Sequence, residues 1–407
     1  MPPPPGATRP GIAVLLVAKG IMNESRSGNP ATAAPDSDDG FGVKIERLRE
    51  AIDSVDREVV EKLNERARLV EEIGTFKRSS RAAVYDAARE RDLVARLVEA
   101  NPGPFPSPAI PHVFREIISA TRSLEARLRV AFLGPEGTFS HLAAQRIFGS
   151  LGDCIAVSTI SDVFAAVERG EADHGIVPVE NTTEGVVTQT LDALIDSALP
   201  ICGESLLRIS LHLMSRSGRL EDVRRVASNP QPLAQCRAWL DRHLPGVERV
   251  ETPSTAAAAR LAGEQPDVAA VGSSLGGELL GLLTIAESIE DRRDNTTRFL
   301  VVGGEPPPPS GFDLTCAAFT VRKSEAGALH RLLEPFARHQ VNLTSIQARP
   351  LKGAPWEYVF FIELEGHQSE PRVQGALGDA ARRANFCRIL GSFPRAATPV
   401  RGASGDA

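Results

Sequence analysis

Between Ile45 and Lys77, apolar side chains recur at Ile45, Leu48, Ile52, Val55, Val59, Leu63, Val70 and Ile73, in steps of three and four with one gap. That spacing lines one face of a helix. No proline interrupts the run, and its one glycine, Gly74, lies near the end. A helix of about 30 residues is long for a globular domain and is expected to pack along another chain. The gap in the stripe is filled by Arg66. An arginine buried in an apolar seam needs an anionic partner, and for a lone arginine an interhelical ion pair is the plain reading.

Two shorter helices are expected to follow. One runs from Asp86 to Ala100 and is stopped by Asn101-Pro102-Gly103-Pro104. The other runs from about Pro108 to Arg127, with Ile110, Val113, Phe114, Ile117 and Ile118 on its apolar side. Residues 41–128 therefore read as an all-helical domain. Arg66 and Lys77 are about three turns apart and share a face, whereas Arg49 lies roughly 25 Å along the axis from Arg66. No small ligand touches both within one straight helix, so they converge only if a second chain supplies one of them. Asp86, Arg89 and Glu90 sit at i, i+3 and i+4 and share a face. A solvated salt-bridge cluster has the same pattern.

At Leu128 the texture changes. Short apolar runs at Val130–Leu133, Ile155–Val157, Gly175–Val179, Ile209–Met214, Val268–Val271 and Phe299–Val302 alternate with helical stretches such as Ser140–Phe148, Ser161–Arg169 and Leu233–His243. Such alternation predicts an α/β domain over residues 129–304, long enough to split into two lobes around a cleft. Pro306–Pro309 read as a semi-rigid spacer within a linker at 305–311. Residues 312–395 then follow the order βαββαβ of a ferredoxin-like domain. Residues 396–407 read as a frayed tail. Residues 1–40 are rich in Pro, Gly, Ser and Ala and read as a disordered leader, or as a start placed too early with Met22 as the true one.

Composition narrows the function classes. The 407 residues carry a net charge of −6, which gives nucleic acid no reason to bind. The apolar run Ile12–Ala18 is far short of the roughly 20 residues of a spanning helix, so no membrane partner is expected. Five scattered cysteines without a C-x-x-C fit reduced thiols in a cytoplasmic protein. The eight histidines form no ligand pair of the H-E-x-x-H kind, so no metal or other cofactor is expected.

Polar loops punctuate the α/β region. Gly134-Pro135-Glu136-Gly137-Thr138-Phe139-Ser140 follows a strand and opens a helix, a setting that presents backbone N–H groups to an anion. It is not a dinucleotide fingerprint. Val177-Pro178-Val179-Glu180-Asn181-Thr182, Ser228-Asn229-Pro230-Gln231-Pro232-Leu233-Ala234-Gln235-Cys236 and Asp294-Asn295-Thr296-Thr297-Arg298-Phe299 are three more. Each alone is explained by turns and caps.

Together these motifs carry resemblances. L-R-E-A-I-D-S-V-D-R, N-E-R, I-G-T-F-K and V-Y-D-A-A-R-E-R-D, across residues 44–127, resemble the all-helical chorismate mutases. The resemblance implies an intertwined helical homodimer in which Arg66, Lys77, Arg89 and a partner chain's Arg49 bind two carboxylates and the ether oxygen. Asp86 and Glu90 would hold the ring hydroxyl region, and Thr121 and Glu125 match the remaining positions. Residues 129–303, with the four loops in order, resemble prephenate dehydratase. That implies Thr297 as the catalytic hydroxyl, a prephenate pocket lined by Thr138, Asn181, Ser228 and Gln235, and Arg298 near the substrate carboxylates. Asn229 stands where relatives often carry histidine. The C-terminal segment resembles an ACT regulatory domain that binds phenylalanine at a dimer interface. The implied contacts are Gly327, Ala328, Leu329, Asn342, Gln347 and Arg349, with Gln347-Ala348-Arg349-Pro350 standing where the family has E-S-R-P.

The implied chemistry is consistent with the residue types. Rearranging chorismate needs no nucleophile or metal, only a folded dianion and cations at the ether oxygen. At Glu125 some relatives carry glutamine. An amide donates a hydrogen bond at any ordinary pH and a carboxyl only when protonated, so mutase activity is expected to fall as pH rises and Glu125→Gln to flatten the profile. Three alternatives remain at this stage: a non-catalytic two-lobed binding protein with a sensor, a dehydratase acting on arogenate, and a dimerisation domain that senses nothing.

Overall fold

The computed structural model describes residues 38–80, 85–125, 128–322, 325–351 and 357–396. The leader up to residue 37, the tail from residue 397, and the expected helix end at Ala126–Arg127 lie outside these. The chain divides into two compact units that meet in sequence at Val60. The first consists of the opening turns of α1 (Asp38–Ser80), whose Val43, Leu48, Ile52, Val55 and Val59 are all exposed. The helix starts earlier than its apolar stripe and runs through Gly40 and Gly42, residues that weaken a helix without forbidding it.

The second unit opens with the rest of α1, followed by α2 (Ala87–Glu99) and α3 (Ile110–Glu125). Asp86 caps α2, its carboxylate accepting from the Arg89 amide at 3.0 Å. The helices α1 and α3 touch where α1 carries Gly74: a Cβ there would lie 2.8 Å from Glu125 Cγ.

Two sheets follow. The first contains β1 (Arg129–Leu133), β2 (Asp153–Val157), β3 (His174–Asn181), β4 (Gly185–Val186), β5 (Ile201–Arg208) and, after an excursion, β11 (Thr296–Val302). Its order is β2-β1-β3-β11-β5, with β4 on β3. Helices α4 (Phe139–Phe148), α5 (Ile160–Glu168) and α6 (Thr188–Asp196) connect its strands. The excursion is the second lobe, β6 (His212–Ser215), β7 (Arg225–Ser228), β8 (Glu248–Glu251), β9 (Val268–Gly272) and β10 (Leu283–Ala286), in the order β10-β6-β9-β7-β8. It is completed by α7 (Pro230–Gln235), α8 (Arg237–His243), α9 (Thr255–Glu264) and α10 (Ser274–Leu279). The chain crosses between lobes twice, after β5 and before β11.

These crossings correct the expected strand at Ile209–Met214. Ile209 to Leu211 form the crossing itself, and their apolar character reflects burial between lobes rather than a ladder. The expected helix Leu233–His243 is two helices broken at Cys236, where φ is −109°.

The third element set is a four-stranded sheet, β13-β14-β12-β15, formed by β12 (Asp313–Thr320), β13 (Leu343–Pro350), β14 (Tyr358–Glu365) and β15 (Phe386–Pro394), with α11 (Ala328–Arg338) and α12 (Pro371–Ala381). The order is βαββαβ. The proline run joins β11 to β12 without separating their cores. Ala131, Val177, Leu300 and Val302 form one apolar cluster with Leu314, Cys316, Val359, Phe361, Leu390 and Phe393. Backbones meet there too: a Cβ on Gly391 would lie 2.1 Å from the Ile201 carbonyl oxygen, so only glycine fits.

Candidate active sites

The helices α1, α2 and α3 enclose a cavity of about 140 Å³. Arg66, Lys77, Asp86, Arg89, Glu90, Thr121, Arg122 and Glu125 line it, over an apolar floor of Val70, Ile73, Leu93 and Ile118. Seven of the eight residues singled out in the helical region are therefore brought together. Lys77 Nζ stands 3.1 Å from Glu125 Oε1, and Arg66 donates to the Thr121 hydroxyl. Burial lowers the pKa of Arg66 and pushes that of Glu90 above the usual carboxylate range, the second against the pull of Arg122. The eighth residue, Arg49, stands in the first unit, exposed and beside Glu46 at 3.4 Å.

Arg122 was not singled out from the sequence. It is 7% exposed, and its guanidinium meets Glu90 Oε1 and the Phe148 carbonyl, each at 2.6 Å. In sequence it is one more arginine on a charged helix. The only hint is its place beside Thr121.

The second constellation lies where β3 and β11 pair. Asn181 Oδ1 accepts from the amides of Thr183 and Glu184 at 2.9 and 3.0 Å, which turns its amide nitrogen toward Thr297 Oγ1 and Asn295 Oδ1, both at 2.8 Å. The Thr297 oxygen thus accepts from Asn181, leaving its hydrogen to donate elsewhere. Asn295 in turn donates to Gln235 Oε1 at 3.4 Å. Gln235 Nε2 is buried without a hydrogen-bond partner in the protein, at a cavity of about 200 Å³ also lined by Thr183, Ala234, Glu290, Asp291, Arg292 and Asn295. A buried orphan donor is costly unless something else accepts from it.

Thr138 and Ser228 sit at element ends. Thr138 caps α4, accepting from the His141 amide at 3.4 Å, and Ser228 closes β7 with its hydroxyl donated to the Val271 carbonyl at 2.6 Å. The loop before α4 also bridges the lobes: Ser273 Oγ donates to the Gly137 carbonyl at 2.7 Å.

Arg298 is corrected. Successive side chains of a strand point to opposite faces, so Arg298 turns away from Thr297. It is held by Glu204 at 2.6 Å and by Glu363 of β14 at 2.8 Å. It is a buried junction ion, not a ligand of the Thr297 cluster. Arg349 pairs with Asp192 of α6, its guanidinium donating at 3.1–3.2 Å. Gln347 faces the same junction, lining a small cavity with Arg298 and Glu363. Gly327 precedes α11 with φ +74°, Ala328 begins that helix, and Leu329 and Asn342 are exposed. One strand therefore sends Gln347 and Arg349 inward, away from the exposed members of the expected phenylalanine set.

Among the described residues, no group of three or more His, Cys, Asp or Glu is placed to hold a metal ion, and no helix is long and apolar enough to cross a membrane.

Comparison with known proteins gives three family matches: chorismate mutase type II over residues 48–126, prephenate dehydratase over 130–307 and the ACT domain over 319–382. A bifunctional chorismate mutase/prephenate dehydratase from Aquifex aeolicus is 44% identical over 357 residues, 87% of this chain and 98% of that protein. One from Neisseria gonorrhoeae is 42% identical, over 86% and 96%. A solved prephenate dehydratase from Arthrobacter aurescens, in complex with L-Phe, is 36% identical, with a TM-score of 0.61 over 66% of this chain and 90% of its own. A structure described as a novel type of quorum quenching acylase has the same TM-score at 30% identity, over 67% and 99%. Fold likeness alone therefore does not select the chemistry. The relatives matched from the first helices to the last sheet do select it, and by them this chain belongs to the family of bifunctional chorismate mutase/prephenate dehydratases.

Proposed function

We propose that the cavity of α1, α2 and α3 binds chorismate and rearranges it to prephenate, and that the Thr297 cluster converts prephenate to phenylpyruvate, carbon dioxide and water. The observation that carries the first half is the convergence of Arg66, Lys77, Arg89, Glu90, Thr121 and Glu125 on one cavity. The cations hold the dianion folded, and Lys77 and Arg66 meet the charge that develops on the ether oxygen. Asp86 and Glu90 face the ring hydroxyl. The exposed apolar stripe of the first unit supports a second chain packed along α1, which brings its own Arg49 to the site.

In the second site, the Thr297 hydroxyl delivers its hydrogen to the departing ring oxygen, which leaves as water while the C–CO2 bond breaks to release carbon dioxide and its electron pair completes the aromatic ring; solvent returns a proton to Thr297. Asn181 orients that hydroxyl, and the unpartnered Gln235 amide offers a donor to the substrate. Thr138 and Ser228 shape the cleft from the ends of their elements. Phenylalanine, the amino acid made from the product, acts on the ACT domain as feedback inhibitor. Its contacts are the exposed Gly327–Leu329 turn and Asn342, completed across a second chain.

The test is to incubate the purified protein with chorismate and follow products by chromatography. Prephenate should appear transiently and phenylpyruvate accumulate, the latter suppressed by added phenylalanine. Failure to consume chorismate would remove the first assignment, and accumulation of prephenate alone the second.

A further inference from the structure

We propose that Arg122 is a positioning residue of the mutase site, holding Glu90 in place by using the C-terminal end of α4, in the neighbouring α/β lobe, as its fixed point. This rests on the reading of Glu90 as a substrate contact. Arg122 follows Thr121 on α3 and reaches Glu90 on α2 with one guanidinium nitrogen. Its other terminal nitrogen donates to the carbonyl of Phe148, the last residue of α4. Positive charge is favoured at a helix C-terminus, so this end of α4 receives the guanidinium well. The planar fork spans both partners at once, which a lysine ammonium cannot do.

The fixed point is itself braced. Ser119 Oγ, one turn before Arg122, donates to the same Phe148 carbonyl at 2.9 Å. Gly149, at φ +80°, lets α3 approach: a Cβ there would fall 2.1 Å from Ser119 Cβ. The Tyr85 and Phe148 rings flank the guanidinium, with centroids 5.5 and 5.7 Å from its central carbon. Tyr85 also stands at the start of α2, so the ring that packs Arg122 belongs to the segment that carries Glu90. Glu90 is thereby fixed by a residue that is braced from outside the helical domain.

The charged groups acting on Glu90 are Arg122 from α3, Arg66 from α1 and Asp86 one turn back on its own segment, with Arg89, Lys77 and Glu125 around the same cavity. Burial drives the Glu90 carboxyl upward and Arg122 is the foremost cation opposing it. Removing that cation should let Glu90 take up its proton at higher pH.

The experiment measures kcat/KM for chorismate against pH in the full-length protein and in Arg122→Met, Arg122→Lys and Glu90→Gln, with folding checked by circular dichroism. Glu90 meets the ring hydroxyl as a carboxylate, so activity should fall on the acid side as it takes up its proton, and Glu90→Gln should erase that acid limb. Arg122→Met should move that limb up by about one pH unit or more, the usual effect of losing a close opposite charge. Arg122→Lys should give a smaller shift with a raised KM, and it stands in should the methionine variant not fold. If Glu90→Gln erases the limb and both Arg122 variants keep it at the wild-type pH, Arg122 does not position Glu90. A profile unchanged in Glu90→Gln removes Glu90 from the site, and this proposal with it.

Discussion

Around the cavity of α1–α3 the polar side chains, Thr121 apart, are acids and bases, Arg66, Lys77, Arg89 and Arg122 against Asp86, Glu90 and Glu125. The side chains hydrogen-bonded in series to Thr297 are neutral, Asn181, Asn295 and Gln235, at 2.8 to 3.4 Å, with Glu290, Asp291 and Arg292 entering only at the cavity beyond Gln235. The contrast follows the two reactions. A rearrangement has no leaving group, and its barrier is lowered by confining a dianion and meeting charge where it shifts. Expulsion of a hydroxyl needs a proton delivered at one atom, and a neutral hydroxyl held by an amide can do that without an ion beside it. On the proposed assignment, one chain relies on Coulomb fields in one place and hydrogen-bond geometry in the other.

The most severe way to break that contrast is at Thr297. Thr297→Val should lower phenylpyruvate formation from prephenate by about 10²–10⁴-fold, the usual contribution of a positioned proton donor. Mutase kcat/KM should stay within about twofold. Equal loss of both activities in a folded variant would mean that the sites are not separate. The next is at the cations. Arg66→Ala and Arg49→Ala should each cost about 10²–10³-fold in mutase kcat/KM, as loss of one preorganised donor does. Mixing the two variants under verified subunit exchange should restore activity, because one hybrid site is intact. Absence of complementation would confine the site to a single chain.

Two smaller effects sharpen the comparison. Replacing Glu125 by glutamine exchanges the carboxylate paired with Lys77 at 3.1 Å for an amide that donates, and should raise mutase kcat/KM by about tenfold or more, as one added preorganised donor does, with dehydratase activity unchanged. An unchanged mutase kcat/KM would mean that position 125 does not meet the developing charge. Finally, Arg298→Met should leave KM for prephenate within about threefold and lower stability instead. Breaking a buried pair costs about 3–5 kcal/mol because it strands the partner carboxylates, here Glu204 and Glu363. A large rise in KM with unchanged melting would return Arg298 to the substrate.

The periodic parts of the molecule were legible in the sequence. The helical region followed from the 3.6-residue spacing and βαββαβ from short runs between turn signals; the capping role of Asp86 emerged only with the structure. Within the dehydratase region, β5 was not seen, because Gly203-Glu204-Ser205 breaks an apolar run. Glu204 is buried there because Arg298 of the neighbouring strand and the Ala396 amide both answer its carboxylate. The edge strand Glu248–Glu251 is mostly charged and gives no apolar signal. The helix α9 did carry one, a Ser254 cap before an alanine run. The facing of Arg298 was readable from strand alternation once Thr297 was assigned. Arg122 was not, because its partners lie 32 and 26 residues away and a helix face of mixed charge does not announce which member is buried.

The core that continues past the proline run also bears on how the molecule comes apart. Phe393, Leu390 and Phe361 complete a layer begun by Leu300 and Val302, so each partner loses one packed face when the other melts, while keeping a further apolar cluster on its other side. Calorimetry of the intact chain should therefore show the sheets that carry β11 and β15 melting in one cooperative transition. Amide exchange in β12 should be as slow as in β3. A chain without the last sheet would present Leu300, Val302 and their neighbours to water as an apolar wall.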